Sequence, residues 1–139
     1  MKLIFICLLP IVLDLGNIAS ENILTVKITN IKTSEGEIAV ALYNAEKKFM
    51  KSSYKTKTGK AVAGTVEIIF ENIPQGQYAL SVMHDENENE KLDTNLFGIP
   101  KEGFGFSNNA MGKFGPPSFE KAKIEITSSK EISIKLKYL

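Results

Sequence analysis

Oxygen-bearing side chains recur at alternate positions in the run Asp85-Glu86-Asn87-Glu88-Asn89-Glu90-Lys91-Leu92-Asp93. Asp85, Asn87, Asn89 and Asp93 fall at the first, third, fifth and ninth positions of a calcium-loop pattern, and Lys91 would add its backbone carbonyl at the seventh. A hard cation takes roughly six to eight oxygens, and alternate residues of a tightly curled loop point inward to supply them. The two Asp carboxylates bring charge, and the two Asn side chains extend the shell without adding repulsion. Leu92 is expected to turn into the core. Two positions depart from the EF-hand version: Glu90 stands where a glycine eases the turn, and Leu96 where a bidentate Glu would close the shell. Neither flank reads as a helix. The match is therefore to short Asp/Asn calcium loops outside EF-hands, and the competing reading is an acidic, solvated turn.

His84, the single histidine, immediately precedes this run. A general base or a metal ligand would use an imidazole here, but a zinc site would want a second His or a Cys. A Ser107–His84–Asp93 relay can be written, although no nucleophile-elbow motif surrounds Ser107. The expectation is a structural His at a strand end. No catalytic residue is assigned, and an extracytoplasmic hydrolase using His84 with the acidic loop is the alternative to a binding role.

The elements that must position these residues are strands. From Asn22 onward the dominant period is two. Leu24, Val26 and Ile28 alternate with polar residues, as do Ile38, Val40 and Leu42 after a turn at Ser34-Glu35-Gly36. Val66, Ile68 and Phe70 form a third strand, and Tyr78, Leu80 and Val82 a fourth, reached through Ile73-Pro74-Gln75-Gly76. Ala122, Ile124 and Ile126, then Ile132, Ile134, Leu136 and Tyr138, close the chain as an expected hairpin around Ser128-Ser129-Lys130. A further strand is expected within residues 55–63, and a helical turn near Phe49 in an otherwise Lys-rich loop. One apolar face per strand implies two stacked sheets. The fold class is all-β: a small transthyretin-like or immunoglobulin-like β-sandwich of about seven strands with one long ordered loop.

That loop, residues 85–118, lacks a strand period. It and its end at Phe119 hold Phe97, Phe104, Phe106, Phe114 and Phe119, five of the chain's eight Phe, together with five of its ten Gly. Aromatic anchors and glycine turns predict an ordered, Ω-like cap rather than a disordered linker.

Before the first strand the chain changes character. Lys2, the apolar run Leu3 to Leu13, and the small residues Ala19 and Ser20 have the layout of a secretory signal peptide. Residues 1–20 are thus expected to be removed, leaving residues 21–139 as one domain, periplasmic or extracellular, with no transmembrane segment. Cys7 would leave with the signal, so the mature chain would carry no disulfide. A net charge of +1 gives no field to draw nucleic acid. All 17 basic residues are Lys, so the bidentate base and phosphate contacts of Arg are also missing. The expected partner is a protein or glycan ligand, and the only cofactor implied is calcium.

The segment Tyr78 to Asp93, with His84-Asp85-Glu86-Asn87 and Lys91-Leu92-Asp93-Thr94-Asn95, resembles the bacterial domain-of-unknown-function family numbered 2141. So do Gly98-Ile99-Pro100-Lys101-Glu102-Gly103-Phe104-Gly105-Phe106-Ser107-Asn108-Asn109 and Gly115-Pro116-Pro117-Ser118-Phe119. The resemblance implies an exported bacterial protein with no assigned activity. Glu88 and Glu90 stand where that family's glycines are expected. Separately, Ile73-Pro74-Gln75-Gly76-Gln77-Tyr78 resembles a Pro-x-Gly-x-Tyr turn of transthyretin-like sandwiches, which bears on the fold alone.

Overall fold

The computed structural model describes residues 22–139, so the expected signal peptide lies outside the described residues. Eight strands follow in order: β1 (Leu24–Ile31), β2 (Glu37–Tyr43), β3 (Lys55–Lys60), β4 (Gly64–Phe70), β5 (Gly76–Asp85), β6 (Phe104–Phe106), β7 (Ile124–Ile126) and β8 (Lys130–Lys135). One short helix, α1 (Phe119–Ala122), precedes β7, capped by the Ser118 side chain. A three-stranded sheet runs β4-β1-β8. A five-stranded sheet runs β3-β2-β5-β6, with β7 also paired to β5. The molecule is a small β-sandwich, and no helix among the described residues is long and apolar enough to cross a membrane.

Period two decides which side chains meet. Leu24, Val26 and Ile28 of β1, Ile38, Val40 and Leu42 of β2, and Leu80 and Val82 of β5 are all buried and form one core with Ile68, Ile124 and Ile134. Burying a Leu or Ile stabilises the fold by about 1.5–3 kcal/mol each, and that shared interest holds the two sheets face to face. β3, with no large apolar residue, takes the sheet edge. There Lys55 and Lys57 donate from Nζ to the backbone carbonyls of Glu71 and Ile69 (3.0 and 2.6 Å), which blunts the edge.

Several sequence expectations are corrected. β7 and β8 are not a hairpin: β7 pairs antiparallel with β5, whereas β8 runs parallel to β1 in the other sheet. The Ser128–Ser129 turn therefore carries the chain from one sheet to the other. Ala122 ends α1 rather than starting a strand. Inside the long loop the Phe-Gly-Phe triplet of β6 pairs with Ser81–Met83 of β5, a strand too short to show a period. Its Phe104 also exchanges both backbone hydrogen bonds with Lys137 (3.1 and 2.8 Å), closing one side of the sandwich. Phe104, Phe106 and Phe119 are buried, but Phe97 and Phe114 are 88% and 102% exposed and anchor nothing. Leu92 is only half-buried and does not enter the core.

A second, smaller core lies on the outer face of the five-stranded sheet. Ala79, Phe119 and Ala122 pack there with Phe49 and Ala110. The Phe49 ring meets Tyr43, Phe119 and Phe106 edge-on at 5.2, 5.9 and 6.5 Å. The helical turn near Phe49 is present as a 3-10 turn at Glu46–Lys48, and it delivers that ring.

Candidate metal centre

β5 ends at Asp85, at the rim of the sandwich, and the acidic run curls back on this residue. Asp85 is 3% exposed, and both its carboxylate oxygens are used: Oδ1 accepts from the Asn89 N–H (3.2 Å) and Oδ2 from the Glu90 N–H (2.8 Å). Asn87 Oδ1 accepts from the Asn89 N–H and Asn89 Oδ1 from the Lys91 N–H (3.3 and 3.0 Å), two successive Asx turns. Both amides also donate to Asp93: Asn87 Nδ2 to Oδ2 at 2.7 Å, and Asn89 Nδ2 to Oδ1 and Oδ2 at 2.9 and 3.1 Å. The curl thus brings together Asp85, Asn87, Asn89 and Asp93, the side chains the sequence singled out. Exposed Lys91 joins the curl through its backbone N–H, which donates to Asn89.

The curl needs left-handed backbone at two places. Glu88 and Glu90 have φ of 56° and 63°, a region that costs a residue with a Cβ about 1–2 kcal/mol. Room for the start of the loop comes from Gly36, in the turn before β2. Its φ is +72°, and a Cβ there would lie 2.0 Å from the Asp85 carbonyl oxygen.

Beyond Asp93 the chain makes a small hairpin. Thr94 bridges Pro100, the Lys101 N–H donates to the Asp93 carbonyl (2.7 Å), and Asn95 Oδ1 accepts from the Phe97 and Ile99 N–H groups. Leu96 and Phe97 stand exposed at its tip. The hairpin returns the chain to Glu102, which sequence reasoning missed. Glu102 is 6% exposed, its carboxyl lies against that of Asp93 and faces the Asp85 charge, and its Oε2 is buried with no donor. Burial first, and then the bond to Asp93 and the Asp93 and Asp85 charges, push its carboxyl up to about 7. Asp93 moves the other way, held below the usual carboxylate range by the Glu102 hydrogen bond and then by Asn89 and Asn87. The contact between the two carboxyls thus raises that of Glu102 and lowers that of Asp93. The signal that could have found Glu102 is an acidic residue directly before the apolar Gly103–Phe106 stretch, where a charge has no other reason to be buried.

Among the described residues no three His, Cys, Asp or Glu side chains form a group that could hold a metal ion as they stand. Amide and backbone N–H groups satisfy the two Asp carboxylates instead. The Asp85, Asn87 and Asn89 oxygens each accept one bond and keep a second lone pair for a cation, whereas Asp93 Oδ2 already accepts from both amides.

His84 does structural work. It is fully buried, its Nε2 is 2.7 Å from the Glu35 carbonyl, and its Nδ1 is 2.8 Å from the Tyr138 hydroxyl. A carbonyl only accepts, so Nε2 carries the hydrogen and Nδ1 accepts from Tyr138. The same hydroxyl accepts from the Lys32 N–H (3.0 Å), which agrees with that direction. The Ser107–His84–Asp93 relay is not assembled. Ser107 Oγ donates to the Ala122 carbonyl and accepts from the Leu80 N–H, and both His84 nitrogens are committed elsewhere.

Residues 26–135 match the family model described as an uncharacterized protein conserved in bacteria, domain of unknown function 2141. The chain belongs to that family. The match includes the acidic curl, the hairpin, Glu102 and His84, so all of them lie within the family's domain. No curated protein and no solved structure matches the chain.

Proposed function

We propose that this member of the family is an exported binding module whose long loop is organised by a calcium ion held by Asp85, Asn87, Asn89, Asp93 and the Lys91 carbonyl. The observation that carries the reading is the curl itself, which turns the Asn87 and Asn89 side chains onto Asp93 above the buried Asp85. A hard cation suits an all-oxygen set of this kind. The exposed Leu96–Phe97 tip beside the curl supports a partner-contacting role, with a protein or a glycan as the ligand class. Export rests on the N-terminal sequence alone. A hydrolase using His84 gains no support from the imidazole's two structural bonds.

Calorimetric titration of the mature protein with calcium tests the proposal. One site is expected, with affinity at least tenfold lower in Asp93→Asn. Absence of binding heat at several temperatures would reduce the run to an acidic turn.

A further inference from the structure

Among the described residues, Glu102 is the one buried acidic side chain with an oxygen that has no hydrogen-bond partner. Its Oε2 has no donor, and it is 6% exposed, so water cannot supply one freely. An unpaired buried carboxylate is expensive, and such groups are retained where a counter-charge or a metal compensates them. Lysines near it in sequence do not serve, since Lys101 is exposed and forms no ion pair with it among the described residues. What Glu102 faces instead is the Asp93 carboxyl and the Asp85 charge. The unpartnered Oε2 thus sits beside two acidic residues of the curl.

We propose that Glu102 is a ligand of the calcium ion, supplied from the far strand of the Thr94–Pro100 hairpin, so that the ion latches that hairpin to the end of β5. This rests on the calcium reading above and extends it in two ways. It supplies the acidic ligand that Leu96 cannot provide at the usual closing position. It also couples the ion to the exposed Leu96–Phe97 tip, because Asp93 and Glu102 flank the hairpin at its two ends. Without the ion, the base of the hairpin is held by the Lys101-to-Asp93 backbone bond. With the ion, both carboxylates bind one charge and the tip is fixed relative to the sandwich.

The test is calcium titration of the mature protein and its Glu102→Gln variant, beside Asp93→Asn. A tenfold or greater loss of calcium affinity in Glu102→Gln, with the far-ultraviolet spectrum unchanged, supports the ligand role. Calcium binding by the native protein with unaltered affinity in Glu102→Gln overturns it and leaves the calcium reading standing. No binding by the native protein overturns both. Should Glu102→Gln not fold, the native protein decides alone: the Glu102 side-chain carboxyl carbon resonance is expected to shift with calcium together with that of Asp93. A shift at Asp93 with none at Glu102 overturns the proposal. The hairpin is read by a Phe97→Trp reporter in a chain that has no other Trp. Calcium is expected to raise its fluorescence anisotropy in the otherwise native chain and not in Glu102→Gln, and an equal response in both overturns the latch.

Discussion

An imidazole is stable inside a sandwich only when both ring nitrogens find partners, and His84 finds them in two distant parts of the chain. The Glu35 carbonyl belongs to the turn before β2, and the Tyr138 hydroxyl to the C-terminal tail. Its place on the inward face of β5, in phase with Leu80 and Val82, forces this arrangement. His84→Ala would leave the carbonyl and the hydroxyl without their partner and open a small cavity. A loss of about 2–4 kcal/mol in urea unfolding is expected, and a parent-like midpoint would show that the bonds contribute little. Glu90 gives the opposite sign. Its positive φ is a conformation glycine adopts without steric cost, and its charge adds to a crowded acidic loop. Glu90→Gly is expected to stabilise the calcium-free domain by up to about 1 kcal/mol, net of the entropy glycine adds to the unfolded chain. A lowered melting temperature would mean that the Glu90 side chain makes a contact worth more than the strain. At this scale the sequence was legible where interactions are local. Asx residues bonding two positions ahead declare themselves in the spacing of Asp85 to Asp93. Glu102 did not, because its meeting with Asp93 depends on the fold of the hairpin between them.

Among the elements, the strands with strict alternation were readable and those defined by their partners were not. Ile38, Val40, Ile68, Leu80, Ile124 and Ile134 all face inward, as their phase requires. The two final strands carry the same alternation whether they pair with each other or with opposite sheets, so the crossover between β7 and β8 had no local signature. The phenylalanines divide for a similar reason. Composition marks a Phe-rich loop, but only tertiary placement separates the rings packed over Ala79 from those in solvent. That division is testable. Phe49→Ala removes the ring on which Tyr43, Phe106 and Phe119 converge, and should cost about 2–4 kcal/mol, somewhat less than for a fully buried ring. Phe114→Ser, at a side chain with no covered surface, should change stability by less than about 0.5 kcal/mol. Equal losses at the two sites, measured by denaturant unfolding, would contradict the outer core described above.

For the molecule as a whole, the question is whether a loop at one rim can govern the stability of both sheets. Asp85 is the last residue of β5, which pairs with β2, β6 and β7 and is the most connected strand of the five-stranded sheet. His84, one residue earlier, ties the β1–β2 turn and Tyr138 to the same strand end. A ligand that fixes Asp85 therefore acts on the junction of the two sheets, and its binding energy should appear in global unfolding. Binding to the folded state alone adds about 2.7 kcal/mol at a hundredfold excess over Kd. A domain of this size moves its Tm by roughly 3–6 °C per kcal/mol, so saturating calcium should raise the Tm by about 10 °C over chelator. Magnesium should give a smaller shift, because it demands tighter octahedral geometry and keeps its water more stubbornly than a flexible loop can replace it. The increment should shrink in Asp93→Asn, which removes one of the charges that hold the ion. Coincident melts in calcium, magnesium and chelator would mean that no cation acts on this junction, and that the curl at the end of β5 is held by its amides alone.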